Sequence, residues 1–149
     1  ITAAVVPLYG ASMGEIQRRS TRNQLVSILL HIQERAVSET TEYRFYFQPE
    51  RGTYWVERQA ETPPEELERV FEPVNEVYGR PAQLPLGFVF ADVGRLGEDL
   101  ERDALFIRCF PNGACDPVTF SVVDTQSNAL QFTVEVMGAL GQVRTETPK

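Results

Sequence analysis

The sequence predicts an α+β fold, in which a long N-terminal helix packs on antiparallel β-sheet arranged as two small sheets in a sandwich. Apolar residues recur at helical spacing between residues 12 and 41, a stretch without proline. From Tyr43 onward the pattern changes to the period of two that is typical of strands. We therefore divide the chain into a helical region, residues 1–42, and a β-rich globular domain, residues 43–149.

The helical stretch carries one apolar stripe at positions i, i+4, i+7 and i+11. The stripe is formed by Leu25, Leu29, Ile32 and Ala36, which we expect to hold the helix against its own sheet. A helix of about thirty residues is about 45 Å long, more than a small domain covers, so its N-terminal part should protrude. The apolar start, residues 1–9, is far shorter than the roughly 20 residues of a membrane span. Because the chain has no initial methionine, we expect Ile1 not to be the native start.

Several segments after the helix have the composition of strands. The segments 43–48 and 53–58 flank a turn that contains Pro49 and Gly52 and form a predicted strand–turn–strand unit. Further strands are predicted at 86–91, 105–110, 118–123 and 130–136, and the segment 138–143 turns back. The stretch 62–79 is predicted to contain a short acidic helix, and the polar run 94–103 a surface loop.

Two cysteines, Cys109 and Cys115, bracket a turn between two predicted strands. Their spacing permits a disulfide across the turn in an oxidising compartment. Two free thiols are the alternative. Zinc is disfavoured because the sequence has neither a second cysteine pair nor a histidine pair to complete four ligands.

Charge and motifs argue against catalysis and against nucleic-acid binding. The formal net charge of -7 would repel a phosphate backbone. His31 is the only histidine, and its position within the helix is more typical of a packed side chain than of a catalytic base. The sequence has no nucleophile elbow and no phosphate-binding glycine loop. The carboxylates within 98–103 lack the spacing of a calcium loop. We predict no enzyme, no cofactor and no metal site.

Five segments, taken in order, carry a resemblance to a known family. They are Ala3-Ala4-Val5-Val6-Pro7-Leu8-Tyr9, the helix from Leu25 through Glu34-Arg35-Ala36-Val37, Leu84-Pro85-Leu86-Gly87-Phe88, Phe110-Pro111-Asn112-Gly113, and the final stretch 136–143 with Gln142 in place of an arginine. In this order they resemble the H-type minor pseudopilins of type II secretion systems and the related FimT-type minor pilins of type IV pili.

The resemblance implies a pilin-like fold and a subunit that is not an enzyme. Such a protein is inserted in the bacterial inner membrane, processed and methylated through a prepilin peptidase, and assembled with other pseudopilins into a short periplasmic filament that supports protein export. In that interpretation the residues that pack on neighbouring helices are Val5, Val6, Leu8 and Ile16. Exported proteins could contact the exposed segments 62–79 and 94–103. The alternative is a FimT-type minor pilin that acts in pilus assembly, adhesion or DNA uptake.

Overall fold

The fold is described by a computed structural model that covers residues 6–61, 69–138 and 142–148, with side chains from residue 14 onward. It begins with helix α1, Val6–Glu39, which starts earlier than the sequence predicted. Pro7 does not prevent this start, because proline is tolerated in the first turn of a helix. Within the described ranges, no helix is both long enough and apolar enough to cross a membrane.

Helix α1 ends through backbone geometry at Thr40, which has a positive φ of 52°. The Thr41 N–H donates to the carbonyl of Ala36 at 3.0 Å, and the Thr40 N–H donates to Val37 at 3.3 Å. These bonds satisfy carbonyls that the last helical turn would otherwise leave free. The chain then reverses directly into the first strand.

Ten strands follow α1 in the described part of the chain. They are β1 Tyr43–Gln48, β2 Thr53–Gln59, β3 Phe71–Pro73, β4 Ala82–Gln83, β5 Phe88–Ala91, β6 Gly97–Asp99, β7 Ala104–Cys109, β8 Val118–Asp124, β9 Ala129–Met137 and β10 Gln142–Glu146. Sheet A has the order β3-β2-β1-β7-β6, with β4 also paired to β2, and sheet B has the order β10-β9-β8-β5. The pairings between these strands are antiparallel in both sheets, which confirms the predicted α+β class.

Two connections contain strands that were not predicted. The acidic helix expected within 62–79 stays a prediction, because residues 62–68, which hold most of its glutamates, lie outside the described ranges; in the described remainder, Phe71–Pro73 forms β3 and Val77–Gly79 a single 3-10 turn. The polar run 94–103 contains strand β6 instead of being wholly a loop. Both short strands exist because a longer neighbour offers a free edge: β3 pairs with β2, and β6 with β7.

The core lies where α1 meets both sheets. Helix α1 contacts β1 and β7 of sheet A and β9 and β10 of sheet B. Aromatic side chains join the sheets beneath it: the Phe47 ring lies 5.0 Å from that of Phe90 and 5.8 Å from that of Phe120, between centroids. Since aromatic rings bury large apolar areas, this cluster is a main source of stability.

On the outer face of sheet A, close packing leaves no room for a side chain at Gly97. A Cβ atom there would lie 2.3 Å from the Phe106 ring, which is itself held by Tyr46 and by the guanidinium of Arg44. We therefore expect Gly97→Ala to lower the free energy of unfolding by about 1–3 kcal/mol, measured by urea denaturation. Gly94→Ala is the control, because its nearest neighbour would be 3.7 Å away. Equal stability of the two variants would contradict this packing.

Candidate functional site

Helix α1 has a buried upper half and an exposed lower half. The four apolar positions predicted to face the sheet are all fully buried and belong to the core: Leu25, Leu29, Ile32 and Ala36. Toward the N-terminus this burial ends, and Ile16 is 61% exposed. Val5 lies outside the described residues, as do the side chains of Val6 and Leu8. The lower half of α1 thus presents apolar surface that its own sheets do not cover.

A shallow groove runs along one side of this helix. Its first part, about 620 Å³, lies between α1 and the loop after β4, and is lined by Gly14, Ile16, Gln17, Ser20, Thr21, Gln24, Tyr54, Gln83 and Pro85. Its second part, about 710 Å³, shares Gln24 and is lined further by Ser27, Ile28, Glu76, Val77, Tyr78 and Arg80. The side chains that α1 contributes to the groove are uncharged. This favours contact with another polypeptide over recognition of a charged small molecule.

The upper end of α1 is fixed to sheet A by a polar network. Glu39 accepts a hydrogen bond from the Tyr43 hydroxyl at 2.9 Å and forms an ion pair with Arg35 at 2.8 Å. Arg35 also pairs with Glu76 at 2.8 Å. Burial, together with the bond to Glu39, raises the pKa of Tyr43 well above its ordinary value. The network therefore holds the helix, β1 and the segment before Val77 in one arrangement.

His31, the one residue considered as a catalytic base, packs beside this network. Its ring lies 4.2 Å from that of Tyr78 in an edge-to-face arrangement. In the part of the chain that is described, no group of three or more histidine, cysteine or acidic residues could hold a metal ion. The geometry around His31 is that of a packed aromatic pair.

The outer face of sheet A carries a cluster that sequence reasoning missed. Glu57 is only 4% exposed at its side chain and pairs with Arg102, whose guanidinium also pairs with Asp99 at 2.7 Å. The Trp55 indole N–H donates to Glu57 at 2.9 Å. The bond from Arg102 is the main cause that lowers the pKa of Asp99 below its ordinary value. Asp99 is thus engaged in an ion pair, and the cluster is structural. Alternation along β2 was the available signal, since it places Trp55 and Glu57 on one face.

The cysteines lie at the far end of β7. Cys109 and Cys115 are buried and unbonded in this structure, with their sulfur atoms 2.7 Å apart. The predicted disulfide therefore stays a prediction.

Solved structures of known proteins have a similar fold. Two solved structures of EpsH, the minor pseudopilin of the type II secretion system of Vibrio cholerae, match this chain with a TM-score of 0.64 each. Each match covers 89% of this chain and 98% or 95% of the EpsH chain. The chain has the fold of a minor pseudopilin. Sequence identity to the two is 16% and 17%, and neither a protein-family model nor a curated protein sequence matches.

In this chain, α1 is both a core element and an extension from the domain. The upper half completes the core across both sheets, whereas the lower half, with Ile16 and the groove beside it, has no partner within the described part of the chain. The exposed lower helix is the candidate functional site.

Proposed function

We propose that this protein is a minor pseudopilin, a structural subunit that is added to the tip of a type II secretion pseudopilus and supports protein export without catalysing a reaction. Its domain would lie in the periplasm, and a membrane segment preceding the described helix would anchor it in the inner membrane. The observation that carries the proposal is a pseudopilin fold whose lower helix leaves Ile16 and an adjoining groove uncovered.

We assign two kinds of contact to two separate parts of the chain, the N-terminal helix and the exposed loops. Val5, Val6, Leu8 and Ile16 would pack on the helices of neighbouring pseudopilins, because apolar side chains at helical spacing gain free energy only when another surface covers them. Exported proteins would contact the loops farther along the chain. Val77 and Leu100 in these loops are largely exposed, and exposed apolar side chains on loops are common at recognition surfaces.

Complementation tests this function directly. The full-length gene is deleted in the native host and restored on a plasmid, and the release of extracellular enzymes, DNA uptake and twitching are measured in the same strain. We expect the deletion to abolish secretion, leave uptake unchanged, and be rescued by the plasmid. Loss of uptake or twitching with normal secretion would indicate a FimT-type minor pilin. Normal behaviour in all three assays would refute both functions.

The site itself is tested by Ile16→Asp in the full-length protein. Because Ile16 is exposed in the isolated subunit, we expect a melting temperature within about 2 °C of wild type. A charge inside a helix–helix contact costs several kcal/mol, so secretion should fall at least about tenfold. Asn23→Asp is the matched control, since it adds the same charge at another exposed position of α1 and should leave secretion unchanged. Normal secretion by Ile16→Asp would remove Ile16 from the assembly contact.

A further inference from the structure

Cys109 and Cys115 face each other where the two sheets meet. Cys109 ends β7 of sheet A, and Cys115 lies on the chain that leads into β8 of sheet B. The pair forms an antiparallel bridge flanked by two backbone hydrogen bonds, from Phe110 N–H to Ala114 and from Asp116 N–H to Arg108. This pattern defines a non-hydrogen-bonded pair, in which opposed Cα atoms are about 4.5 Å apart and side chains are closest.

That geometry meets the requirements of a disulfide. A Cα separation of about 4.5 Å falls within the range of about 4.4–6.8 Å that bridged cysteines adopt. The two sulfur atoms are already 2.7 Å apart, so a bond requires side-chain adjustment and no backbone rearrangement. We propose that Cys109 and Cys115 form an intramolecular disulfide in the mature protein, and that the bond is made before the connection between β7 and β8 closes.

The reaction is a thiol–disulfide exchange with a small or protein disulfide as the oxidant. One cysteine thiolate attacks the donor disulfide, forming a mixed disulfide and releasing the first donor thiol. The second cysteine then attacks the mixed bond, forming the Cys109–Cys115 bond and releasing the second donor thiol. The two cysteine sulfurs are oxidised by two electrons, the donor is reduced, and the two cysteine protons end on the released thiols.

The order of events follows from burial. In the folded chain Cys109 is 1% exposed and Cys115 is 3% exposed, so a donor cannot reach either sulfur. The hydrogen bond between the two thiols and the burial of the site raise the pKa of Cys109 well above its ordinary value, which keeps that thiol protonated and unreactive. Oxidation therefore belongs to the unfolded or partly folded chain.

The bond would join the two sheets covalently. The Cys115 N–H donates a hydrogen bond at 3.0 Å to the carbonyl of Gly138, which directly follows β9. The Arg108 guanidinium donates two hydrogen bonds, of 2.9 and 3.1 Å, to the carboxylate of Asp116. A disulfide would thus tie the end of β7 to a segment that is already bonded to sheet B. For so short a loop we expect reduction to lower the melting temperature by roughly 5–10 °C.

The pairing is tested on the purified 149-residue chain, refolded from urea with oxidised glutathione. A maleimide mass tag is then added in denaturant, before and after reduction. We expect no tag before reduction and two tags afterwards, with the chain monomeric on a non-reducing gel. Two tags before reduction, or a disulfide-linked dimer, would overturn the pairing. This assay does not depend on secretion, so it can fail or succeed independently of the proposed function.

Two further experiments test when the Cys109–Cys115 bond forms and whether it stabilises the folded chain. Folded, reduced protein is mixed with oxidised glutathione at increasing urea concentrations, and we expect oxidation to accelerate at least about tenfold across the unfolding transition; a constant rate would overturn the order. Wild type refolded with reductant should melt at a lower temperature than wild type refolded with oxidised glutathione, whereas the double variant Cys109→Ala/Cys115→Ala should melt at the same temperature after either treatment. Equal melting temperatures for the two preparations of the wild type would refute a stabilising link between the sheets.

Discussion

Leu29→Asp is expected to prevent folding. Leu29 is completely buried in the core, where removal of its side chain alone costs about 2–5 kcal/mol. The aspartate adds the cost of a carboxylate without a partner, so the total approaches the whole stability of a small domain, about 5–15 kcal/mol. Circular dichroism of the purified variant should show loss of the cooperative thermal transition.

The neighbouring residue supplies the control for this prediction. Leu30 is 48% exposed, so Leu30→Asp introduces the same charge one position along the same helix without burying it. We expect its free energy of unfolding to stay within about 1 kcal/mol of wild type. A folded Leu29→Asp variant, or two variants of equal stability, would show that α1 does not pack on the sheets through this face.

Arg102→Met is expected to have the second largest effect. Arg102 is the cationic partner of Glu57, whose side chain is 4% exposed, and it also pairs with Asp99. Among the described residues, removing Arg102 leaves this buried carboxylate with the Trp55 N–H as its one remaining side-chain donor. Because the Arg102 side chain is itself 43% exposed, water can reach part of the site, and we expect a loss of about 2–3 kcal/mol in urea denaturation at neutral pH.

Two further variants identify the cause of that loss. Arg95→Met removes the same charge from an exposed loop position and should change stability by less than about 0.5 kcal/mol. Glu57→Gln combined with Arg102→Met removes the unpaired charge, so the double variant should regain a large part of the lost stability. The Arg102 guanidinium also lies over the rings of Tyr46 and Trp55, 4.7 and 5.4 Å from their centroids. A double variant as unstable as Arg102→Met alone would mean that the loss of this packing, and not the buried charge, explains the effect.

The same cluster predicts a pH dependence. Arg102 lowers the folded-state pKa of Asp99 below its ordinary value. A lowered folded pKa contributes stability that is present above the unfolded pKa of about 4 and is lost as the pH falls through the folded pKa. Wild type should therefore lose stability more steeply below about pH 4 than Asp99→Asn, when urea denaturation is repeated across that range. Parallel curves would contradict the shift.

The strands that could be predicted from the sequence are those in which apolar and polar residues alternate within the strand itself. The β1–β2 hairpin was predictable because apolar and polar residues alternate on both sides of the turn at Gly52. Strands β3, β4 and β6 were not, since each is two or three residues long and exists only as an addition to the edge of a longer strand. Such pairing depends on tertiary contacts, which no local pattern records.

The surroundings of α1 could be predicted from the sequence only in part. Helical spacing identified the positions of Leu25, Leu29, Ile32 and Ala36 that the structure places in the core. The groove could not be foreseen, because part of its lining comes from β2 and from segments after it, which approach α1 only in three dimensions. The role of Arg102 was not predicted either: it lies in the polar run 94–103 that was predicted to be a surface loop, whereas its guanidinium pairs with Glu57.

The contact of α1 with the last strand has a consequence for folding order. Arg22 donates to Thr147 at 2.8 Å, a contact between residues 125 positions apart, and α1 also packs on β9 and β10. The helix is thus synthesised before all the described strands and is among the last elements to be covered. Such high contact order slows folding and leaves an apolar helix face available to aggregation meanwhile. We expect truncation before β10 to yield insoluble protein, even though the truncated chain retains every other element.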